Sequence, residues 1–132
     1  MKAIDKHIIR DFFDELHIST RIDDDGDMVI VQSADEDFGH DVVIFVIVKN
    51  NRLSYTAGAS NYTPSQDIYF LANRHNCRKN LPVAVVRNGS IRMEYSFLLD
   101  EEVSKEYIVE NCIKMVLGSI WRGFCDLEKD DK

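Results

Sequence analysis

His75 and Cys77 stand two residues apart with Arg78 and Lys79 beside them, so a ring nitrogen, a thiol and two cations crowd into five positions. Neighbouring cations stabilise a thiolate and so activate a cysteine as a nucleophile, and histidine and cysteine are both zinc ligands. The remaining parts of either chemistry do not follow. His7, His17 and His40 are scattered, and Cys77, Cys112 and Cys125 form no C-x-x-C pair, whereas structural zinc needs four ligands that usually arrive in paired spacings. Cys77 therefore reads as a partly buried, inert thiol. The run Asp23-Asp24-Asp25-Gly26-Asp27 invites a calcium loop, but aligning Gly26 with the glycine of an EF-hand puts Arg21 at the first ligand position and Gln32 at the last, where carboxylates are required. The glycines form no G-x-G-x-x-G, no G-K-[ST] and no G-x-S-x-G. No catalytic residue, metal or cofactor is expected, and the chain reads as a non-enzyme.

One charge pattern is less random. Arg74, Arg78, Lys79, Arg87 and Arg92 fall between positions 73 and 92 with no acid among them. Residues 1–66 sum to −6 and residues 67–132 to −1, so this is a local positive region on an acidic protein. Such a region suits a carboxylate-rich partner surface. Asn73, Arg74, Asn76, Arg78, Lys79 and Arg92 are the candidate partner-binding residues. The plainer alternative is that the cations cover the end of a helix and its following hairpin, with Asn73 and Asn76, three apart on one helix face, tying the helix to that hairpin. A second alternative is a small-molecule or enzyme pocket between this helix and the sheet, with Asn73, His75, Asn76 and Arg92 as its polar groups.

The elements that must position these residues follow from periodicity. From Ala3 to His17 the apolar Ile4, Ile8, Ile9, Phe12, Phe13 and Leu16 recur at helical steps. Asp25-Gly26 marks a tight turn before the strand Met28–Val31. The unbroken apolar run Val42–Val48 predicts a central strand covered on both faces, and Asn50-Asn51 turns it into a returning strand over Arg52–Ala57. Thr63, Pro64 and Gln66 read as cap, first helical residue and capping box of a helix over 64–78 that buries Ile68, Leu71, Ala72 and His75. Asn88-Gly89 predicts a hairpin whose second strand, Ile91–Phe97, has a wet face of Arg92, Glu94 and Ser96. Asp100-Glu101-Glu102 opens a last helix that runs to about Phe124. The expected order is αβββαββα, an α+β domain around one mostly antiparallel sheet, with one domain over 1–127 and a frayed charged tail over 128–132.

The chain has 132 residues, 45% hydrophobic and 30% charged, enough apolar material for one core without staples. A net charge of −7 argues against nonspecific nucleic-acid binding, which draws its affinity from neutralised phosphates. No signal peptide or membrane span is visible, and dispersed cysteines fit reduced thiols, so the expected compartment is the cytoplasm. In the last helix Val109, Cys112, Ile113, Val116, Leu117, Ile120, Trp121 and Phe124, joined by Tyr107, Ile108 and Met115, form a broad apolar face, and the second half is apolar nearly all round, with Gly118, Ser119 and Gly123 allowing close approach. Either it is sandwiched within the monomer or it joins a subunit interface, and a symmetric homodimer is the expectation.

The stretch Leu71-Ala72-Asn73-Arg74-His75-Asn76, followed by Val83–Val86, Asn88–Tyr95 and a closing helix, resembles the YbjN family of bacterial proteins, described as sensory transduction regulators. The N-x-x-N pair is Asn73 and Asn76, and the resemblance covers about the second half of the chain. The element order is also similar to that of type III secretion chaperones. The resemblance implies a small, acidic, dimeric, non-enzymatic architecture that binds another protein as a regulator or chaperone-like adaptor.

Overall fold

The computed structural model describes residues 4–99 and 102–132. Helix α1 (Lys6–Glu15) is capped by Asp5, whose carboxylate accepts from the Ile8 amide at 3.0 Å, and it buries Ile9 and Phe13. Strands β1 (Arg21–Ile22), β2 (Met28–Gln32), β3 (Val42–Lys49) and β4 (Arg52–Ala59) follow as a meander. Helix α2 (Ile68–Arg78) then leads to the hairpin of β5 (Val83–Arg87) and β6 (Ser90–Leu98). Helix α3 (Lys105–Tyr107), a π-helical segment (Ile108–Lys114) and helix α4 (Met115–Asp131) run on from one another. The six strands form a single sheet in the order β1-β2-β3-β4-β6-β5, and every neighbouring pair is antiparallel.

The α+β class and the antiparallel sheet are as expected, with one strand added before α2: the two residues of β1 pair with β2 across the Asp25-Gly26 turn. Asp23 builds that turn by accepting from the amides of Asp25 and Asp27, both at 2.9 Å, while Gly26 takes φ +83°. The other two hairpins also turn where expected. Asn50 and Asn51 sit at φ 54° and 60°, and Asn88 and Gly89 at 51° and 77°, the left-handed pairs that match the twist of flanking strands.

Alternate residues of the strands face the helices. Ile30, Ile44, Ala57, Met93 and Ala84 align across five strands and are all buried. Behind them α4 contributes Val116, Leu117, Ile120, Phe124 and Leu127. Most of the apolar excess of this helix is thus taken up inside one chain, while Tyr107 of α3 and Met115 stay exposed. The loop after β2 lays Phe38 against it, with ring centroids 5.8 Å from both Trp121 and Phe124, and Tyr62 closes the cluster from 5.5 Å. Of the small residues, Gly123 admits a close approach: a Cβ there would stand 3.4 Å from Pro82 and 3.5 Å from His75 and Met93, while Gly118 faces open space. Tyr55, fully buried, donates its hydroxyl to the Cys112 carbonyl in the π-helical segment, and burial pushes that phenol far above its ordinary pKa, with the nearby Cys112 adding to the effect.

Three expectations need correction. Helix α2 starts at Ile68 with Asp67 as its cap, not at Pro64, because the amides of Ser65 and Gln66 donate to the Asp131 carboxylate at 3.0 and 2.8 Å instead of entering a helix. For the same reason the carboxyl-terminal residues are not frayed: α4 continues to Asp131, pinned to the loop before α2. Finally, β3 is central but covered on one face; Val43, Phe45 and Ile47 are half-buried on the side without helices. Of the residues expected to open the last helix, Asp100 and Glu101 lie outside the described residues, and the helix is capped by Ser104, whose hydroxyl accepts from the Tyr107 amide at 3.1 Å.

Candidate functional site

The six candidate binding residues do not share one surface. Arg78 reaches Asp130 at 2.7 Å, Arg74 approaches the same carboxylate at 3.5 Å, and Lys79 pairs with Asp126. Those acids come from the last turns of α4, so these three cations join two helices and are neutralised within the chain. Asn76 serves β5: its amide donates to the Ala84 carbonyl and accepts from the Ala84 amide, both at 2.8 Å. A side-chain amide thereby replaces the missing neighbour strand at that sheet edge. His75 is 3% exposed and its Nε2 donates to the Pro82 carbonyl at 2.7 Å. Asn73 is exposed on α2. The structural role weighed for the asparagine pair holds for Asn76, and the polar set Asn73, His75, Asn76 and Arg92 does not converge on a pocket between α2 and the sheet.

Arg92 belongs elsewhere, on the helix-free face of the sheet. There the register lines up Val43, Gly58, Arg92 and Val85 in one row and Val29, Phe45, Thr56, Glu94 and Val83 in the next. A third row pairs Ile47 with Ser54 and Ser96, and the two serine hydroxyls lie 3.2 Å apart. Beyond it Lys49 faces Arg52, which donates to Ser96 at 3.1 Å. With Arg21 opposite Val29 and Arg87 opposite Ser90, the face carries Arg21, Lys49, Arg52, Arg87 and Arg92 against the single acid Glu94. Glu94 is bound by Arg87 at 3.0 Å. A protein of net charge −7 thus presents a positive sheet face interleaved with apolar residues, of which Val31 is 44% exposed.

Comparison with known proteins gives no match: no family model, no curated protein and no solved structure matches this chain.

Cys77, expected to be partly buried, is exposed on α2, and the other two thiols are poorly suited to chemistry. Cys112 is buried in the core and its thiol is pushed up to about 11 by desolvation; that of Cys125 is raised by burial and by Asp37, Asp35 and Asp126, against a small opposing effect of Lys129. Among the described residues no group of three or more His, Cys, Asp or Glu could hold a metal ion, and no helix is long and apolar enough to cross a membrane. The residues missed at the level of sequence are Phe45, Ile47, Lys49 and Arg52. A signal for them was present. In a two-residue hairpin the positions flanking the turn pair directly, so Lys49-Asn50-Asn51-Arg52 already places both cations on one face with Phe45 and Ile47.

Proposed function

We propose that this chain is a cytoplasmic, non-enzymatic protein-binding regulator or chaperone-like adaptor that meets its partner through the helix-free face of its sheet. The observation that carries this reading is the composition of that face: five cations and one acid around Val31, Val43, Phe45 and Ile47. Apolar side chains at the centre of a patch with charge at its rim are what a protein interface requires. The rim charge here suits a segment rich in Asp or Glu as well as apolar residues. A nucleic-acid ligand is less well served, because Phe45 is the one aromatic ring in those rows and stacking platforms need several. The resemblance of residues 71–95 to the YbjN family agrees with a regulatory role. Self-association belongs to the same proposal, with the exposed Tyr107 and Met115 as the residues of the last helix left to support it.

The test is capture of partners by the tagged full chain in its host, followed by the same capture with variants. Phe45→Asp and the double variant Lys49→Glu/Arg52→Glu should each weaken the captured complex by about tenfold or more, as expected for central and steering positions. Arg78→Glu, on the opposite side of the sheet, should leave it intact. A partner unaffected by both open-face variants, or a capture abolished by nuclease, would overturn the assignment.

A further inference from the structure

A pocket of about 290 Å³ opens at one end of the same sheet face, between the strands and the loop that leads into α2. Val43, Phe45, Gly58 and Ile68 line it, and Ser60 and Arg92 are among its polar lining residues. Gly58 lies between Val43 and Arg92 in the register, and the missing side chain leaves the pocket open beside the arginine. Among the described residues Arg92 has no ion pair, and its Nε is buried with no hydrogen-bond partner. Glu94, the acid two residues along on the same face, is occupied by Arg87 at 3.0 and 3.3 Å. Among the described residues no carboxylate lines the pocket.

The Arg92 Nε has no accessible surface, so the terminal nitrogens of this unpaired guanidinium are the ones an anion can reach, and arginine's planar fork matches a carboxylate. We infer that this pocket binds a small organic carboxylate with a short apolar tail, the anion on Arg92 and the tail along Val43 and Phe45. The volume lies at the low end of ligand sites, which sets the size at that of a simple metabolite. This inference goes beyond partner docking and does not depend on it.

The experiment is an NMR titration of the ¹⁵N-labelled full chain with hexanoate, with 1-hexanol and formate as controls. Hexanoate should shift the amide signals of Gly58, Ser60 and Arg92 saturably, and each control should bind at least about tenfold more weakly, one lacking the charge and the other the tail. Arg92→Gln should raise the hexanoate Kd by about tenfold or more. Gly58→Leu should abolish binding while the spectrum stays that of the folded protein, since a Cβ at this position meets nothing within 4 Å. Equal binding of hexanol or formate, an unchanged Kd in Arg92→Gln, or shifts confined to another part of the sheet would each overturn the inference. The partner capture by Phe45 and Lys49/Arg52 variants is read separately, so either result stands without the other.

Discussion

The two faces of this one sheet are built from alternate residues of the same strands, yet they follow different rules. The face under α2 and α4 carries Ile44, Tyr55, Ala57 and Met93, and no Lys, Arg, Asp or Glu comes from its paired strand positions. The opposite face carries five cations. Helices exclude water from the first face, where an unpaired charge would cost several kcal/mol, roughly the whole stability of a small domain. The second face stays in contact with solvent, and its side chains are free to specialise. The same contrast separates the two basic groups. Arg74, Arg78 and Lys79 are spent on Asp126 and Asp130 to fix α2 against α4, whereas Lys49, Arg52 and Arg92 face outwards. A cluster that is conspicuous in sequence can be structural, and a dispersed one can be assembled by register.

The largest expected effect tests the core face against the open one. Phe13→Ala, at a fully buried ring, should lower unfolding free energy by about 3–5 kcal/mol in urea denaturation. Phe45→Ala, half-buried on the open face, should cost about 1 kcal/mol, since less of its area leaves water on folding. Equal losses would mean that both faces are core. Next in size is the asparagine pair. Asn76→Ala strips two hydrogen bonds from the buried Ala84 backbone and should cost about 1–3 kcal/mol, while Asn73→Ala should fall within about 0.5 kcal/mol of wild type.

The paired cations come third. Arg78→Ala and Lys79→Ala should each cost less than about 1 kcal/mol, with the difference shrinking in high salt, because both bridges are partly exposed. Loss of partner binding in either variant, with the fold intact, would return this cluster to the interface. The smallest effect is a pH dependence at the same end of α4, at its last residue. Burial disfavours the Asp131 charge, but the amides of Ser65 and Gln66 and the Ser65 hydroxyl outweigh it and hold the carboxyl below the usual carboxylate range. A depressed folded-state value means that this clamp is complete above the ordinary value of 3.8 and is lost as pH falls through the lowered one. Hydrogen-exchange protection of the Gln66 amide should therefore fall in acid, and Asp131→Asn should reduce it already at neutral pH.

Local signals were sufficient wherever the deciding interaction is local. The positive-φ residues Asn50, Asn51, Asn88 and Gly89 sit at the predicted hairpins, and the apolar spacing of α1 and the wet alternation of β6 were legible from period alone. The start of α2 was not, because Thr63, Pro64 and Gln66 form a sound capping pattern that loses to a carboxylate 65 residues further along the chain. Nor was the coverage of β3: an unbroken run of β-branched residues reads the same whether helices cover both of its faces or only one.

The candidate site divides along the same line. Residue types and charges were set out by the sequence itself: an acidic protein with a basic stretch, an asparagine pair, scattered thiols and no catalytic constellation. Periodicity also determined which residues of each strand would lie together. Which of those groups are satisfied and which are left over was decided by tertiary structure alone. Asp126 and Asp130 return to Arg74, Arg78 and Lys79 across some fifty positions, and β4 lies next to β6, which brings Gly58 beside Arg92. Both facts depend on how the elements stack. A charge acts on a ligand only when no neighbour in space has already paired with it, and spatial neighbours are not written in the order of the chain.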